Sequence, residues 1–80
     1  AEITRQEMVT MLYRFAGSPA VTGSLSGYTD ASSVAGWATD AMTWAVTNGV
    51  ITGASETTLA PGANATRAQA AAILMRFAEA

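Results

Sequence analysis

The chain contains no cysteine, no histidine and no lysine, and each absence removes a class of structure or chemistry. Without cysteine there is no disulfide, and without cysteine or histidine there is no structural zinc site of the usual kind. The same absences remove the common nucleophile and acid–base pairings of enzymes. The six acidic residues are scattered along the chain rather than paired. We therefore expect a protein that is not an enzyme and that needs no cofactor.

Positive charge and long apolar runs are also scarce. Four arginines are the only basic residues, the net charge is −2, and the isoelectric point is near 4.7. This balance disfavours binding to nucleic acid or to an anionic membrane surface. No apolar stretch approaches the roughly 18 residues of a membrane-spanning helix, so we expect no membrane insertion.

Bulky apolar side chains are few, because 18 of the 80 residues are alanine. The chain has only two Trp, two Phe, two Tyr and four Met. A core of this size is marginal without disulfides or metal. We therefore expect the chain to depend on neighbouring repeats or on another copy of itself.

The chain contains an internal repeat. Residues 4–16 align without gaps on residues 66–78, and six of the thirteen pairs are identical. All four basic residues fall in these two segments at matching positions, as the pairs Arg5/Arg67 and Arg14/Arg76. Both segments also begin with a Thr followed three residues later by Glu or Gln, which is the capping box of a helix N-terminus.

Helical periodicity continues each capping box. Apolar residues recur at the i, i+3, i+4 and i+7 spacing of an amphipathic helix. They are Met8, Met11, Leu12 and Phe15 in the first copy, and Ala70, Ile73, Leu74 and Phe77 in the second. A third helical pattern lies between them and stops at Asn48-Gly49. The sequence thus predicts an all-α fold with main helices at about 4–16, 36–48 and 66–79, joined by loops rich in Gly, Ser, Thr and Pro.

Arg5 and Arg67 occupy positions that are electrostatically unfavourable for a cation. Each is at the first helical position, where a cation costs roughly 0.3–1 kcal/mol against the helix dipole. A bound anion would explain both, since a carboxylate can meet the guanidinium and the free N–H groups of the first turn together. The alternative is that each arginine pairs with an acid such as Glu2 or Glu56, or lies in solvent.

The two tryptophans are seven residues apart and share one face of the central helix. Core packing is the expected role of Trp44. Trp37 lies in the first turn, where partial exposure would let it stack on a sugar ring. Arg14 and Arg76 lie near helix C-termini, where cations are favoured, so no ligand role is assigned to them.

Two segments resemble a known family of repeats. Residues 37–53 resemble the first half of an S-layer homology repeat, and residues 66–74 resemble its second half. Residues 3–16 are similar to the closing helix of a preceding repeat. The resemblance divides the chain into a closing helix at 1–17, a linker at 18–27 and one complete repeat at 28–80.

The resemblance implies an anchoring module of exported bacterial proteins, located at the cell surface and built from helical repeats. Its ligand would be an anionic secondary cell-wall polysaccharide, often one that carries pyruvate ketals. The Thr-Arg-Ala-Glu-like motif supplies the key arginine of the family, which corresponds to Arg5 and Arg67. The carbohydrate-binding candidates are Arg5, Arg67, Trp37, Gly49, Thr52 and Gly53.

The sequence departs from the family pattern in three ways. Gln69 replaces the usual Glu, and residues 54–59 stand where the family often has a Gly- and Asp-containing loop. Only one and a half repeats are present, so Arg5 has a following repeat and Arg67 does not. Arg5 is therefore expected to be the better site. For the two glycines at 49 and 53, a helix cap and a turn are the alternative explanation. For the whole chain, the alternative is a structural self-association module without a sugar site.

Overall fold

The computed structural model of the chain describes residues 3–51 and 58–79. These residues form three α-helices, α1 (Arg5–Phe15), α2 (Thr39–Thr47) and α3 (Arg67–Glu79). Among them there is no β-strand, only an isolated antiparallel bridge between Thr4 and Asn64. The predicted all-α fold is confirmed. None of the described helices is both long and apolar enough to cross a membrane.

Both predicted capping boxes are present. At the start of α1, the N–H of Thr4 donates to Glu7 Oε1 at 2.9 Å and the N–H of Glu7 donates to Thr4 Oγ1 at 3.2 Å. At the start of α3, Thr66 and Gln69 make the same exchange at 2.9 and 3.1 Å. The amide of Gln69 therefore replaces the carboxylate of Glu7 as a cap, as expected from its chemistry.

The central helix begins later than predicted. Residues Gly36–Ala38 form a 3₁₀ turn, and α2 starts only at Thr39, without a side-chain cap. A 3₁₀ turn is a common way to enter a helix whose first N–H groups lack a capping side chain. The predicted stop is confirmed, because α2 ends at Thr47 and Gly49 adopts a left-handed φ of +71°.

The core lies between α1, α2 and the loops that flank them. Buried apolar side chains come from all three α-helices and from the loops, and the largest fully buried ones are Met42, Leu59, Val9 and Val50. Trp44 is buried as predicted, with 8% exposure, whereas Trp37 is 57% exposed. The two tryptophans therefore have different environments, although they lie seven residues apart.

The apolar stripe predicted for α1 is only partly correct. Met8 and Leu12 are buried, but Met11 is 56% exposed and Phe15 is 82% exposed. The buried residues of α1 are Arg5, Met8, Val9, Thr10 and Leu12. All of them except Thr10 share one face, with the i, i+3, i+4, i+7 spacing. The predicted stripe counted only apolar side chains at one register, so it did not include Arg5, a charged residue that belongs to the buried face.

The segment predicted as a linker is packed against α2. Leu25 is buried, and Thr47 Oγ1 donates a hydrogen bond to the carbonyl of Thr22 at 3.1 Å. Gly23 has a φ of +97°, and a Cβ there would lie 3.0 Å from Thr47 Oγ1. Glycine is required at this position for both reasons. The division at residues 17 and 27 stays a prediction, but residues 18–27 contribute to the core.

The third helix has one side on the core and one side uncovered. Ile73 is buried, and the Phe77 ring packs 6.0 Å from Trp44 and 6.1 Å from Phe15. Leu74 and Met75, by contrast, are 49% and 58% exposed.

Truncation of two methionines on α1 tests its orientation. We expect Met8→Ala to lower the free energy of unfolding by about 2–5 kcal/mol, because it leaves a cavity in the core. Met11→Ala should change it by less than about 0.5 kcal/mol, because that side chain is largely in solvent. Urea denaturation followed by circular dichroism measures both, and equal losses would contradict the described orientation of α1.

Candidate functional site

Arg5, the strongest candidate from the sequence, is buried. Its side chain is only 4% exposed, and its Nε donates to the carbonyl of Leu59 at 2.9 Å. Burial lowers the pKa of its guanidinium from the ordinary value, and the nearby negative charge of Asp30 opposes that shift. A buried cation needs such partners, because its desolvation is costly. Within the described residues, Arg5 therefore joins α1 to the loop that contains Leu59 and to Asp30.

Asp30 completes this contact. Its Oδ1 accepts from the N–H of Leu59 and its Oδ2 from the N–H of Ala60, both at 2.8 Å. The hydrogen bond from Leu59 is the main cause that lowers the pKa of the Asp30 carboxyl, with smaller contributions from Ala60 and Arg5. Ala60 has a φ of +49°, so the two carboxylate bonds hold the loop in an unfavourable left-handed turn.

The N-terminus of α1 is closed by the same loop. The N–H of Arg5 donates to the carbonyl of Ala63 at 2.9 Å, and the N–H of Gln6 donates to that of Pro61 at 3.0 Å. The N–H of Glu7 is bound by Thr4. The hypothesis that an anion meets free N–H groups here is therefore wrong for the first turn of α1, because main-chain and hydroxyl oxygens already occupy those groups.

The equivalent end of α3 is open. Arg67 is exposed, and Gln69 is capped by Thr66. Within residues 3–51 and 58–79, no acceptor binds the N–H groups of Arg67 and Ala68. The sequence analysis expected Arg5 to be the better ligand site. In the structure, however, Arg5 is buried and Arg67 is exposed, so Arg67 is the more accessible of the two arginines.

Trp37 lies at the edge of a surface groove of about 300 Å³. The other residues that line it belong to α1; they are Glu7, Thr10, Met11 and Arg14. This face of α1 is roughly opposite to the face that carries Arg5, given 100° of rotation per residue. Trp37 and Arg5 therefore do not line one groove.

Arg14 lines the groove, although the sequence analysis assigned it no ligand role. It lies near the C-terminal end of α1, where cations are favoured. That position is enough to explain an arginine, so no feature of the sequence indicated a ligand role. Only the packing of the 3₁₀ turn Gly36–Ala38 against α1 places an exposed tryptophan beside a guanidinium. Asp30 was missed for a similar reason, because its partners are almost thirty residues away in the chain.

Glu7 places a fixed negative charge in the groove. Its Oε1 accepts from the N–H and the hydroxyl of Thr4, at 2.9 and 2.8 Å. These bonds, first that from the main chain, lower the pKa of the Glu7 carboxyl. The groove thus presents a carboxylate, a guanidinium and an indole.

A second and larger cavity, of about 420 Å³, lies beside the start of α2. It is lined by hydroxyl groups and small apolar side chains, and the charged residue in its lining is Asp40. An anionic ligand is disfavoured there by charge repulsion.

Of the remaining candidates, the structure describes Gly49, which lies just after α2. Gly49 is exposed and follows the end of the helix. Its left-handed φ is enough to explain why a glycine stands there, so a ligand role is not needed to explain it. Thr52 and Gly53 lie outside the described residues. Within the described ranges, no group of three or more acidic side chains is arranged to hold a metal ion.

Comparison with known protein families decides the relationship suggested by residues 37–53 and 66–74. The model of the S-layer homology domain matches residues 27–71, which is more than half of the chain. The chain belongs to the S-layer homology family. S-layer homology domains are non-catalytic binding modules that anchor proteins to the cell wall, and they imply an association with the cell surface. Searches of curated proteins and of solved structures each returned no match.

The S-layer homology match covers Trp37, Gly49 and Arg67 but not Arg5. Arg5 lies on the helix that precedes the matched region, and that helix is bonded to the loop at residues 58–63, which lies within the match. The match therefore identifies the family of the repeat, and the roles of the individual side chains stay predictions.

Replacement of Arg5 tests its role as a link between segments. We expect Arg5→Gln to lower the free energy of unfolding by about 1.5–3 kcal/mol, the usual range for a hydrogen bond to a charged group. The repeat-equivalent change Arg67→Gln is the matched control and should have an effect within about 0.5 kcal/mol. Chemical denaturation measures both variants, and a neutral Arg5→Gln would contradict the buried contact.

The lowered pKa of Asp30 predicts a dependence of stability on pH. Because the folded state holds this carboxyl below its ordinary pKa of 3.8, its contribution is present above that pH. It is lost as the pH falls through the lower value of the folded state. Asp30→Asn should therefore flatten the fall in unfolding free energy below about pH 4. The pKa of Glu7 is also lowered, so part of the slope should remain. An unchanged slope in Asp30→Asn would contradict the assignment.

Proposed function

We propose that this S-layer homology repeat anchors its protein by binding an anionic, pyruvylated secondary cell-wall polysaccharide. The observation that carries the proposal is the groove in which exposed Trp37 lies beside Arg14. This combination suits a sugar that carries a carboxylate, because one side chain offers an apolar ring face and the other a cation.

Trp37 would bind the sugar ring. Its indole is 57% exposed, an unusual position for a large aromatic side chain in a protein with so few of them. The face of an aromatic ring carries partial negative charge and attracts the weakly positive C–H groups of a pyranose. The stacking would fix the orientation of one sugar residue on the groove.

Arg14 would bind the carboxylate of the pyruvate ketal. A guanidinium offers two parallel N–H donors to a carboxylate, which gives both attraction and orientation. Glu7 would accept hydrogen bonds from sugar hydroxyls at the other side of the groove, and its contacts with Thr4 hold it in place. A groove of 300 Å³ is at the low end for a ligand site, so it suits a single substituted sugar residue.

The residues taken from the family motif have a different place in this proposal. Arg5 supports the repeat from the opposite face of α1, through Leu59 and Asp30. Direct contact of the glycan with Arg5, Arg67, Gly49, Thr52 or Gly53 stays a prediction from the resemblance.

A structural self-association module is the second candidate. The observation that favours it is the exposed apolar surface of α3, where Leu74 and Met75 are about half exposed. This surface lies on a different element from the groove, so the two functions are compatible.

Titration with the polysaccharide tests the proposed function. The intact chain should bind pyruvylated polymer more tightly than the same polymer without pyruvate. Trp37→Ala and Arg14→Gln should each weaken binding about tenfold, or roughly 1.4 kcal/mol. Isothermal titration calorimetry measures the affinities, and circular dichroism verifies that each variant is folded.

Two controls locate the site. Arg76→Gln, at the repeat-equivalent position of Arg14, should leave binding unchanged because Arg76 does not line the groove. Arg14→Gln should bind the polymer without pyruvate as well as the natural sequence does. Loss of binding in a folded Arg67→Gln variant, with Trp37→Ala unaffected, would place the glycan at α3 and overturn the groove assignment.

A further inference from the structure

The cavity of about 420 Å³ beside the start of α2 is separate from the groove at Trp37. One of its walls is helical and carries Thr39, Asp40 and Thr43, and the other is the segment at residues 21–26, the loop wall. Its volume lies within the range of small-molecule sites and exceeds that of the groove. The polar groups of the two walls decide which ligand this cavity accepts.

The loop wall is anchored to the core and to α2. Leu25 is buried, whereas Ser24 and Ser26 on either side of it are exposed. The carbonyl of Thr22 accepts a hydrogen bond from Thr47 Oγ1 on α2 at 3.1 Å. The serine hydroxyls therefore belong to a segment whose conformation is already fixed, so little ordering is needed when a ligand binds.

The hydroxyl groups of the helical wall have already donated their protons. Thr39 Oγ1 donates to the carbonyl of Ala35 at 3.2 Å, and Thr43 Oγ1 donates to that of Thr39 at 2.8 Å. These two hydroxyls therefore offer only lone pairs to a ligand. On the loop wall, the hydroxyls of Ser24 and Ser26 share one hydrogen bond of 2.9 Å, so one proton of the pair is left to donate.

Asp40 adds a carboxylate to this set of acceptors. Glu7 and Asp30 use their carboxylates to bind main-chain N–H groups, but within residues 3–51 and 58–79 no donor binds the carboxylate of Asp40. An ionised carboxylate accepts hydrogen bonds and cannot donate them. The cavity is therefore negatively charged, rich in acceptors and poor in donors. It selects a ligand group that donates hydrogen bonds and carries no negative charge.

The cavity and the Trp37 groove are joined by one short segment of the chain. Trp37 lines the groove and lies in the 3₁₀ turn, and Asp40 lines the cavity and lies in the first turn of α2. The two residues are three positions apart, and side chains at that helical spacing are neighbours, with Cβ atoms roughly 5–6 Å from each other. Two linked sugar residues can therefore occupy the two sites at the same time.

We propose that the cavity beside α2 binds an uncharged, hydroxyl-rich sugar residue, the neighbour in the polysaccharide of the pyruvylated residue in the Trp37 groove. Its hydroxyls would donate to Asp40 and to the threonine oxygens, and one would accept from the serine pair. This inference rests on the proposed function, since it takes the pyruvylated residue as bound at Trp37 and Arg14. Arg14 attracts a carboxylate and Asp40 repels one, so the two sites together specify which residue of the polymer lies in each.

Titration with short synthetic ligands tests the second site. The ligands are a pyruvylated monosaccharide and two disaccharides, in which an uncharged hexose is linked on its reducing or its non-reducing side. At least one disaccharide should bind about tenfold more tightly than the monosaccharide in isothermal titration calorimetry. A disaccharide with a uronic acid in place of that hexose should lose this gain, because its carboxylate would lie beside Asp40.

Substitution of Asp40 locates the effect. Asp40→Asn should reduce the tenfold gain to less than about threefold and leave the affinity for the monosaccharide within about twofold. Glu79→Gln is the matched control, because it removes the same charge at the end of α3, outside both sites. It should leave both affinities unchanged, and circular dichroism verifies that each variant is folded.

Chemical-shift changes give a readout without mutation. The monosaccharide should shift the amide signals of Trp37 and Arg14, and the disaccharide should also shift those of Ser24, Ser26 and Asp40. If the monosaccharide binds and neither disaccharide binds more tightly, the second site is overturned and the glycan groove stands. Equal losses for both ligands in Asp40→Asn would likewise overturn the second site. If none of the ligands binds the folded chain, the proposed function is overturned, and this inference with it.

Discussion

The buried guanidinium of Arg5 is the contact on which the arrangement of the repeat depends. It bonds to the carbonyl of Leu59 and lies beside the carboxylate of Asp30, which itself binds two main-chain N–H groups of the same loop. The three segments come from the start, the middle and the later part of the chain. The chain has no cysteine and few bulky apolar side chains, and the buried charge and its partners join these three segments through specific polar contacts.

The orientation of α1 follows from that contact. With Arg5 turned inward, Met8, Val9 and Leu12 also face the core. On the opposite side, Glu7, Met11 and Arg14 are exposed, whereas Thr10 is buried. The 3₁₀ turn then brings Trp37 against this outer side, next to Arg14. The two faces of α1 thus have different contacts. One joins the helix to Asp30 and to the loop at residues 58–63, and the other carries the groove proposed for the glycan.

Helix α3 has the same sequence pattern as α1, but the residues around it differ, and so do its contacts. Both helices have a capping box, an arginine at the first position and a leucine seven residues later. On α1 these features meet a loop and an acid, and the N–H groups of the first turn are bound. On α3 the arginine and the leucine, Arg67 and Leu74, are exposed. The same sequence pattern therefore has two different environments in the described part of the chain.

The sequence by itself determined the features that depend on local chemistry. The capping boxes, the three helices, the glycine stop after α2 and the family resemblance all rest on residues a few positions apart, so they were predicted correctly. It also singled out Arg5 and Arg67, because a cation at a helix N-terminus violates a local rule. Only the tertiary structure shows which groups stabilise the Arg5 cation at that position. The carboxylate of Asp30 is 25 residues from Arg5 and the Leu59 carbonyl is 54 residues away, and no short-range pattern encodes contacts at such separations. The same physical reason applies to the groove, where Trp37 and Arg14 meet only because two elements pack together.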